Sequence, residues 1–550
     1  MDAPNLNINV ENDTLSLVET ITGINFIEGP TKRGPVAYPN DIIYNWPQWE
    51  RLFGGLITSS NFPLLAKRIL DRGVPIRTNR VAHYTDVADD TTLTADKSAL
   101  AGVEVLTFDA DLVTANTFDV DLNGVAMASL DPIDDPFVDS NTSMDLIATA
   151  LQGDAAVADA WVVDTGGASN RVIMAIPANN TALAFTNGTI TNGASQPVCA
   201  HSEKVGLVDD DGNLLLVLAP KYEGLNYNNL IVTVAAASNG DANYFDLTIT
   251  HTQESDLTET YKNQVIGTGV DVANSTWLDI IINLSALMDF TYQDLSSLGD
   301  DLRPRNAVHY LLGGDDGDTI EATDYSGDAA GGTGYHAFNN YDDALQIAAP
   351  EQYAAAIHTA GETYAAARKD LMYFAHIDNS KKTAANIITE KDLYSMSSEY
   401  ASIWGGGLKI SHPTTGVVTE ISELADILAN CSNTDFNYDP WFSIWGPKRG
   451  VIPNVLGVVN NFGSPANYGN LNQLANRNIN MVITRNSKTM AWGEATARLT
   501  ADQQQFINIQ RMLIWLKKQL KPTVEEFLSD PIDPITWLAI YTAVWPSIKD

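Results

Sequence analysis

One stretch, Leu311 to Asp343, limits what the rest of the chain can do: LLGGDDGDTIEATDYSGDAAGGTGYHAFNNYDD. Seven of its 33 residues are glycine and eight are acidic. Glycine supplies left-handed backbone angles and aspartate favours turns and helix N-caps, so no long helix or strand runs through it. It has to be a folded connection around which the apolar runs on either side are organised. Its carboxylates at Asp315, Asp316 and Asp318 invite comparison with a calcium loop. Such loops order their oxygens as D-x-[DN]-x-[DN]-G with a distal Glu, and Asp315-Asp316-Gly317-Asp318 does not keep that spacing. A turn that caps the next helix is expected here, with no metal and no cofactor.

On both sides the chain alternates helical and extended rhythms. Residues 21–85 read β–α–α–β: an apolar run at 24–27, a helix after an Asn45 N-cap, a second helix opened by Asn61 and Pro63, and an extended run at 76–83. Beyond the central stretch, helices at 350–369, 389–403 and 418–430 alternate with strands at 371–377 and 408–411. Alternating elements of this size predict an α/β core, divided between 21–85 and 306–440. In the last segment, 441–550, the best-patterned helix is 501–521. Its Phe506, Ile509, Met512, Leu513, Leu516 and Leu520 fall at helical spacing, and Pro522 is expected to end it.

Residues 86–305 have another character. Short β-prone runs at 103–108, 117–122, 172–176 and 182–185 surround one helix at 142–151. After a break at Gln196-Pro197 come further runs at 214–218, 230–235 and 244–250, with a hairpin turn at 208–213. This predicts two β-rich insertions, 86–197 and 198–305. Charge marks the same region: residues 86–302 hold 33 acids against 5 bases, a net of −28 out of −36 for the whole chain. One-sided charge of this size belongs where water solvates it. Lys and Arg are too scarce to neutralise a phosphate backbone, so no direct nucleic-acid contact is expected. No apolar run reaches the ~18 residues of a membrane span, which excludes membrane insertion. Residues 1–13 lack the basic and apolar regions of a signal peptide, and Cys199 and Cys431 imply no disulfide framework. A soluble cytoplasmic product is expected.

Two sets of residues are candidates for contact. Leu6, Ile8 and Val10 alternate with asparagines, and Leu15 and Leu17 follow. This makes residues 1–20 an extended arm suited to pairing with a sheet edge on another chain. Arg511, Lys518 and Lys521 share one face of the helix at 501–521, seven and three residues apart, and are expected to meet an acidic partner. No catalytic residue is assigned. A serine hydrolase needs a Ser activated by a His that an Asp orients, and none of the eight histidines sits in a G-x-S-x-G or H-E-x-x-H context. An acidic surface-layer or adhesin protein, the other rival, would need export.

The central stretch carries G-G-x-D-G at 313–317, D-Y-x-G-D at 324–328 and T-G-x-x-A-F at 333–338. This series resembles the central signature of contractile tail sheath proteins, found in bacteriophages and related contractile injection systems. The loop Gly29-Pro30-Thr31-Lys32-Arg33-Gly34-Pro35 is similar to the family's G-P-x-x-x-G-P, followed by a tryptophan helix at 46–54. Residues 226–249 resemble a strand pair of the family without its tryptophan. Residues 441–450, WFSIWGPKRG, resemble W-F-A-P-A-G-x-x-R-G, with Trp445 where the family has a small residue. Trp492-Gly493 resembles W-G-x-R-T, from which Glu494-Ala495 departs, and 533–537 resembles N-D-P-x-T-W.

The resemblance implies a subtilisin-like α/β sheath core with β-rich inserted domains, and a structural protein with no enzymatic activity. Its copies would form stacked hexameric rings around a tail tube protein, between a baseplate and a tail terminator. They would be assembled in the host cytoplasm and located in the virion tail, where contraction drives the tube through the host envelope. In that family the helix carrying Arg511, Lys518 and Lys521 faces the tube. Family members also continue past the helix at 533–545 with a small subdomain and a terminal strand. On that pattern, 441–550 is expected to be incomplete or to be completed by a second polypeptide.

Overall fold

The computed structural model describes residues 23–39, 41–83, 95–96, 99–101, 103–108, 117–123, 125–126, 140–164, 171–178, 183, 185–191, 199–266, 276–277, 285–292 and 302–549. The chain divides into two compact units, one of residues 1–31, 35–81 and 320–550 and the other of 32–34 and 82–319. They are called the core unit and the insertion unit below. The candidate arm Leu6, Ile8, Val10, Leu15 and Leu17 lies outside the described residues.

The core unit is built on a seven-stranded sheet. Its order is Ile76–Arg80, Ile24–Gly29, Ala344–Ala348, Met372–His376, Ala401–Gly405, Ile479–Arg485 and Lys488–Trp492. Every neighbouring pair is parallel except the last, a hairpin. A parallel sheet needs crossovers that cover both its faces, so its strands are buried throughout rather than on alternate residues. All of Ile24–Gly29, Ala344–Ala348, Met372–His376 and Ala401–Gly405 is buried.

The first of these strands separates the two faces. On one face, Asn25 donates to Ser432 Oγ at 2.8 Å in helix Leu424–Asn437, and Gly29 lies against the Phe62 ring of helix Phe62–Asp71. A Cβ on Gly29 would come within 2.5 Å of that ring, so only glycine permits the approach. On the other face, Phe26 stacks on Phe338 of the central stretch at 4.6 Å.

The helix at 46–53 starts as expected, with the Asn45 side chain accepting from Gln48 N at 3.0 Å. Three expectations from helical patterning are corrected. The helix expected at 389–403 is instead helix Ala384–Tyr394, broken by Ser395 at φ +53°, followed by the buried strand Ala401–Gly405. The helix expected at 418–430 begins as the strand Val418–Ile421 and becomes helical only from Leu424. Pro522 does not end its helix, which runs Ile507–Glu525. Proline there removes only one intrahelical bond, three residues before the helix ends.

Among the described residues the insertion unit is antiparallel apart from one short pairing at a sheet edge. Strands Leu230–Ala236, Phe245–His251 and Thr258–Val265 form a meander, with Ala307–Leu312 on the other side of Leu230–Ala236. Phe245–His251 alternates buried and half-buried residues, as a strand does when one face packs and the other meets water. A second sheet pairs Cys199–Lys204, Val103–Phe108, Arg171–Pro177 and Val157–Asp164, and helix Ser140–Gln152 packs on the last two. Apolar residues from both halves share a cluster that includes Val103, Trp161, Met174 and Val208. Arg305 lies over the Trp161 ring at 4.2 Å and bonds Asp159 and Asp210 at 2.6 and 2.7 Å. The hairpin at 208–213 is held by Asp209, whose Oδ1 accepts from Asn213 N at 2.7 Å.

The central stretch spans the division. Its acids act as hydrogen-bond acceptors, most of them toward groups a few residues away. Asp315 accepts from Gly317 N, Asp316 from Leu225 N, Asp324 from Glu321 N and Asp328 from Gly331 N, at 2.7 to 2.9 Å. The Glu321 and Asp324 pair is a capping box for the short helix Ala322–Ser326. Among the described residues no group of three or more His, Cys, Asp or Glu side chains could hold a metal ion.

Candidate assembly surface

The motif residues of the last segment meet one another. Glu494 accepts hydrogen bonds from the Ser443 hydroxyl and from Trp445 Nε1, the latter at 2.8 Å. Arg449 donates to Ser443 O at 2.7 Å and lies over the Phe442 ring at 5.0 Å. Trp445 packs edge-on against Trp492 at 5.2 Å, and Trp441 against Trp515 of helix Ile507–Glu525 at 5.4 Å. Glu494, where the chain departs from the family pattern, is the acceptor that ties 443–445 to 492–494. Burial raises its pKa.

Helix Ile507–Glu525 inverts the expectation drawn from its sequence. Its buried stripe is Ile507, Gln510, Arg511, Ile514, Lys518, Gln519 and Thr523. Arg511 is fully buried and paired with Asp435, and it also donates to Cys431 O at 3.3 Å. Burial opposes the charge of both partners, and Asp435 is pushed up from its ordinary value while the carboxylate beside Arg511 holds the guanidinium charged. Lys518 is buried too, donating to Ala344 O at 2.6 Å and lying 3.5 Å from Asp370.

Arg511 and Lys518 point into their own unit and Lys521 does not, which corrects the expectation that the three cations form one contact face. Only Lys521 is exposed, 3.8 Å from Glu525. Spacing identifies a stripe without saying which stripe is buried. Met512, Leu513, Leu516 and Leu520, which fall at helical spacing, are only half-buried, and Phe506 is exposed.

Helix Pro534–Lys549 follows and packs against this helix. Its sequence, PITWLAIYTAVWPSIK, has one charged residue, yet none of its residues from Pro534 to Trp545 is buried. Trp537 is 64% exposed, Leu538 65% and Ile535 77%. Phe436, Tyr438, Trp441 and Trp445 are exposed as well. A folded monomer seldom leaves so many large apolar side chains in water, and such surfaces mark sites of association. This surface had been legible only as apolar periodicity, which argues equally for a core.

The hydrolase rival can be tested by geometry. Ser422 Oγ and His376 Nδ1 are 3.0 Å apart. Both residues are fully buried, the Ser422 hydroxyl oxygen already accepts from Leu424 N at 3.2 Å, and no carboxylate is hydrogen-bonded to His376. Burial and the neighbouring His358 push the His376 pKa well down. A nucleophile sealed from solvent with no oriented base is packing, not a triad. Among the described residues no helix is long and apolar enough to cross a membrane.

No family model and no curated protein matches the chain. Solved structures do. The sheath tail protein of Listeria innocua is 9% identical over 95% of this chain and 84% of its own, with a TM-score of 0.46. The sheath tail protein of Desulfitobacterium hafniense is 11% identical over 93% and 81%, with a TM-score of 0.42. A chain of the anti-feeding prophage baseplate is 15% identical over 38% of this chain, with a TM-score of 0.31; this chain spans about half of that one's length, 54%.

Proposed function

We propose that the chain is the structural subunit of a contractile tail sheath and not an enzyme. The observation that carries this is the exposed apolar surface of helices Ile507–Glu525 and Pro534–Lys549, which the described residues leave uncovered. The shared motifs support it, because residues 441–450 and 492–494 act as joints between segments rather than as the lining of a catalytic cavity. In this reading copies of the chain form stacked hexameric rings around a tail tube, joined to baseplate and terminator proteins in the tail of a virion or injection system. The subtilisin-like description of the core belongs to the same proposal, as do an outward-facing acidic insertion unit and a tube-side contact at Lys521. Contraction then draws on two packings of the same subunits that differ in their lattice contacts, so no nucleotide is required.

The test is electron microscopy of the full chain expressed with its tube protein. Striated tubes that shorten on triggering are expected. Persistent monomers at every concentration, with the tube present, would overturn the reading.

A further inference from the structure

The strands Ile24–Gly29 and Ala344–Ala348 are neighbours, but the chain leaves them in opposite directions. The crossover from the first leads to Ile76–Arg80 at one edge, and that from the second leads to Met372–His376 and the rest of the sheet. Where strand order reverses, the loops beyond the carboxyl ends separate and leave a crevice, which is where open α/β sheets hold ligands.

A pocket of about 260 Å³ lies at that point. Pro30, directly after the first strand, and Glu351 and Gln352, just beyond the second, line it. Ser59, Ser60 and Asn61, which lead into helix Phe62–Asp71, complete its polar wall. A further lining residue is Tyr325 of the central stretch, only 2% exposed, whose hydroxyl makes no hydrogen bond among the described residues. A buried, unpartnered hydroxyl on a pocket wall is a group that a ligand would satisfy. It is an independent sign beside the topology.

We propose that this pocket binds a small, uncharged, hydroxyl-rich molecule of the size of one sugar ring or a cyclic polyol. No lysine or arginine lines it, so an anion would find no counter-charge. A cation finds little either. The Glu351 oxygens already accept from Ser422 N at 2.6 Å and from the Tyr353 hydroxyl at 3.2 Å, and burial raises the Glu351 pKa. What remains is a ring of neutral donors and acceptors, with Pro30 and Ile320 as apolar surface. The Ser60 oxygen accepts from Phe62 N at 3.1 Å, which leaves its hydrogen free to donate. The volume lies below the roughly 300–1,000 Å³ of drug-sized sites, which sets the ligand at a single ring. The proposal does not depend on the assembly reading.

Ligand-observed saturation-transfer NMR on the full chain, titrated with glucose, ribose and myo-inositol, tests it. At least one of them should receive saturation from the parent protein. Tyr325→Phe removes only a hydroxyl with no internal partner, so it should melt like the parent and bind about tenfold more weakly, as the loss of one hydrogen bond predicts. Gln352→Trp, at a half-buried rim position, should fill the pocket and abolish the signal. Absence of transfer from the parent to any of the three, or unchanged transfer in Gln352→Trp, overturns the proposal. So does displacement by acetate or inorganic phosphate, because the site would then favour charge.

Discussion

In the core unit the strand Met372–His376 is buried at every position, whereas Phe245–His251 in the insertion unit alternates buried with half-buried residues. The difference extends to polar groups. The core encloses Glu28, His358, His376, Glu423 and the Arg511–Asp435 pair, each fully or nearly fully removed from water. In the insertion unit the ion pairs of Arg305 with Asp159 and Asp210 and of Lys32 with Glu254 stay at least partly in water, and Arg33, itself buried, pairs with the same partly exposed Glu254. A parallel sheet covered on both faces has nowhere else to put polar side chains, while an antiparallel sheet has a wet face. The expected consequence is that charge is costly to disturb in one unit and cheap in the other.

The sharpest way to break that contrast is to remove one arginine from each. Arg511→Ala leaves Asp435 buried without its counter-charge and should cost about 3–5 kcal/mol of core stability. Arg305→Ala, at a partly exposed pair, should cost about 1 kcal/mol. Denaturant unfolding read by hydrogen exchange, peptide by peptide, separates the two units. The double variant Arg511→Met with Asp435→Leu should recover most of the loss, since the pair is then replaced by apolar volume. Equal costs for the two arginines would mean that burial does not divide the units energetically.

Titration sharpens the same contrast with a smaller effect. Burial pushes the Glu423 pKa up to about 7. Between the ordinary carboxylate value and about pH 7 the folded core keeps a proton that the unfolded chain has released. Stability therefore falls as pH rises through this window, by about 3 kcal/mol in all. His358 runs the other way, because burial lowers its pKa to about 4. The unfolded chain takes up that proton first on acidification, so its contribution is complete above about pH 6.5 and is lost as pH falls toward 4. Glu423→Gln should remove its share of the first slope, leaving that of Glu28, Glu351, Asp435 and Glu494, whose pKa values burial also raises, so the variant gains on the parent as pH rises above 5. In the insertion unit, burial raises the Glu254 pKa but the bonds from Lys32 and Arg33 lower it further, so the net shift is downward. That unit should lose stability on acidification, first below about pH 6.5, because burial lowers the His309 pKa to about 4, and then through the carboxylate range. A parent core whose stability does not fall between pH 5 and 8 relative to Glu423→Gln would refute this account.

The two units also differed in how far they could be read from sequence. Turn chemistry was legible in both, since it depends on local groups: Asn45 caps its helix, Asp209 closes its hairpin and Glu321 pairs with Asp324. Strand alternation gave two strands of the insertion meander within a residue, 230–235 and 244–250, and missed the third, Thr258–Val265, whose residues are mostly polar. The core was harder because strands buried on both faces have no period of two. The segment at 401–405, ASIWG, was absorbed into a helix for that reason. The candidate surface was the least legible part. Apolar spacing on 507–525 could not tell an inward stripe from an outward one, and nothing local marks Arg511 as the partner of Asp435, 76 residues away.

The smallest expected change in stability tests the outward stripe directly. Trp537 and Leu538 are about two-thirds exposed, so Trp537→Asp with Leu538→Asp removes little burial. It should alter the unfolding free energy by no more than about 0.5 kcal/mol per site, the ordinary range for surface positions. Ile514→Asp on the neighbouring helix, fully buried, should unfold the core by leaving a carboxylate without solvent or partner. Association should respond in the opposite order. The double aspartate variant places two like charges on a surface that must lose water to pair, so sedimentation velocity should find it monomeric where the parent forms higher species. If it instead loses several kcal/mol of stability and still associates, helix Pro534–Lys549 packs against its own chain in solution. The stripe taken as outward would then be core, and the contrast between enclosed charge and exposed apolar surface would have to be redrawn.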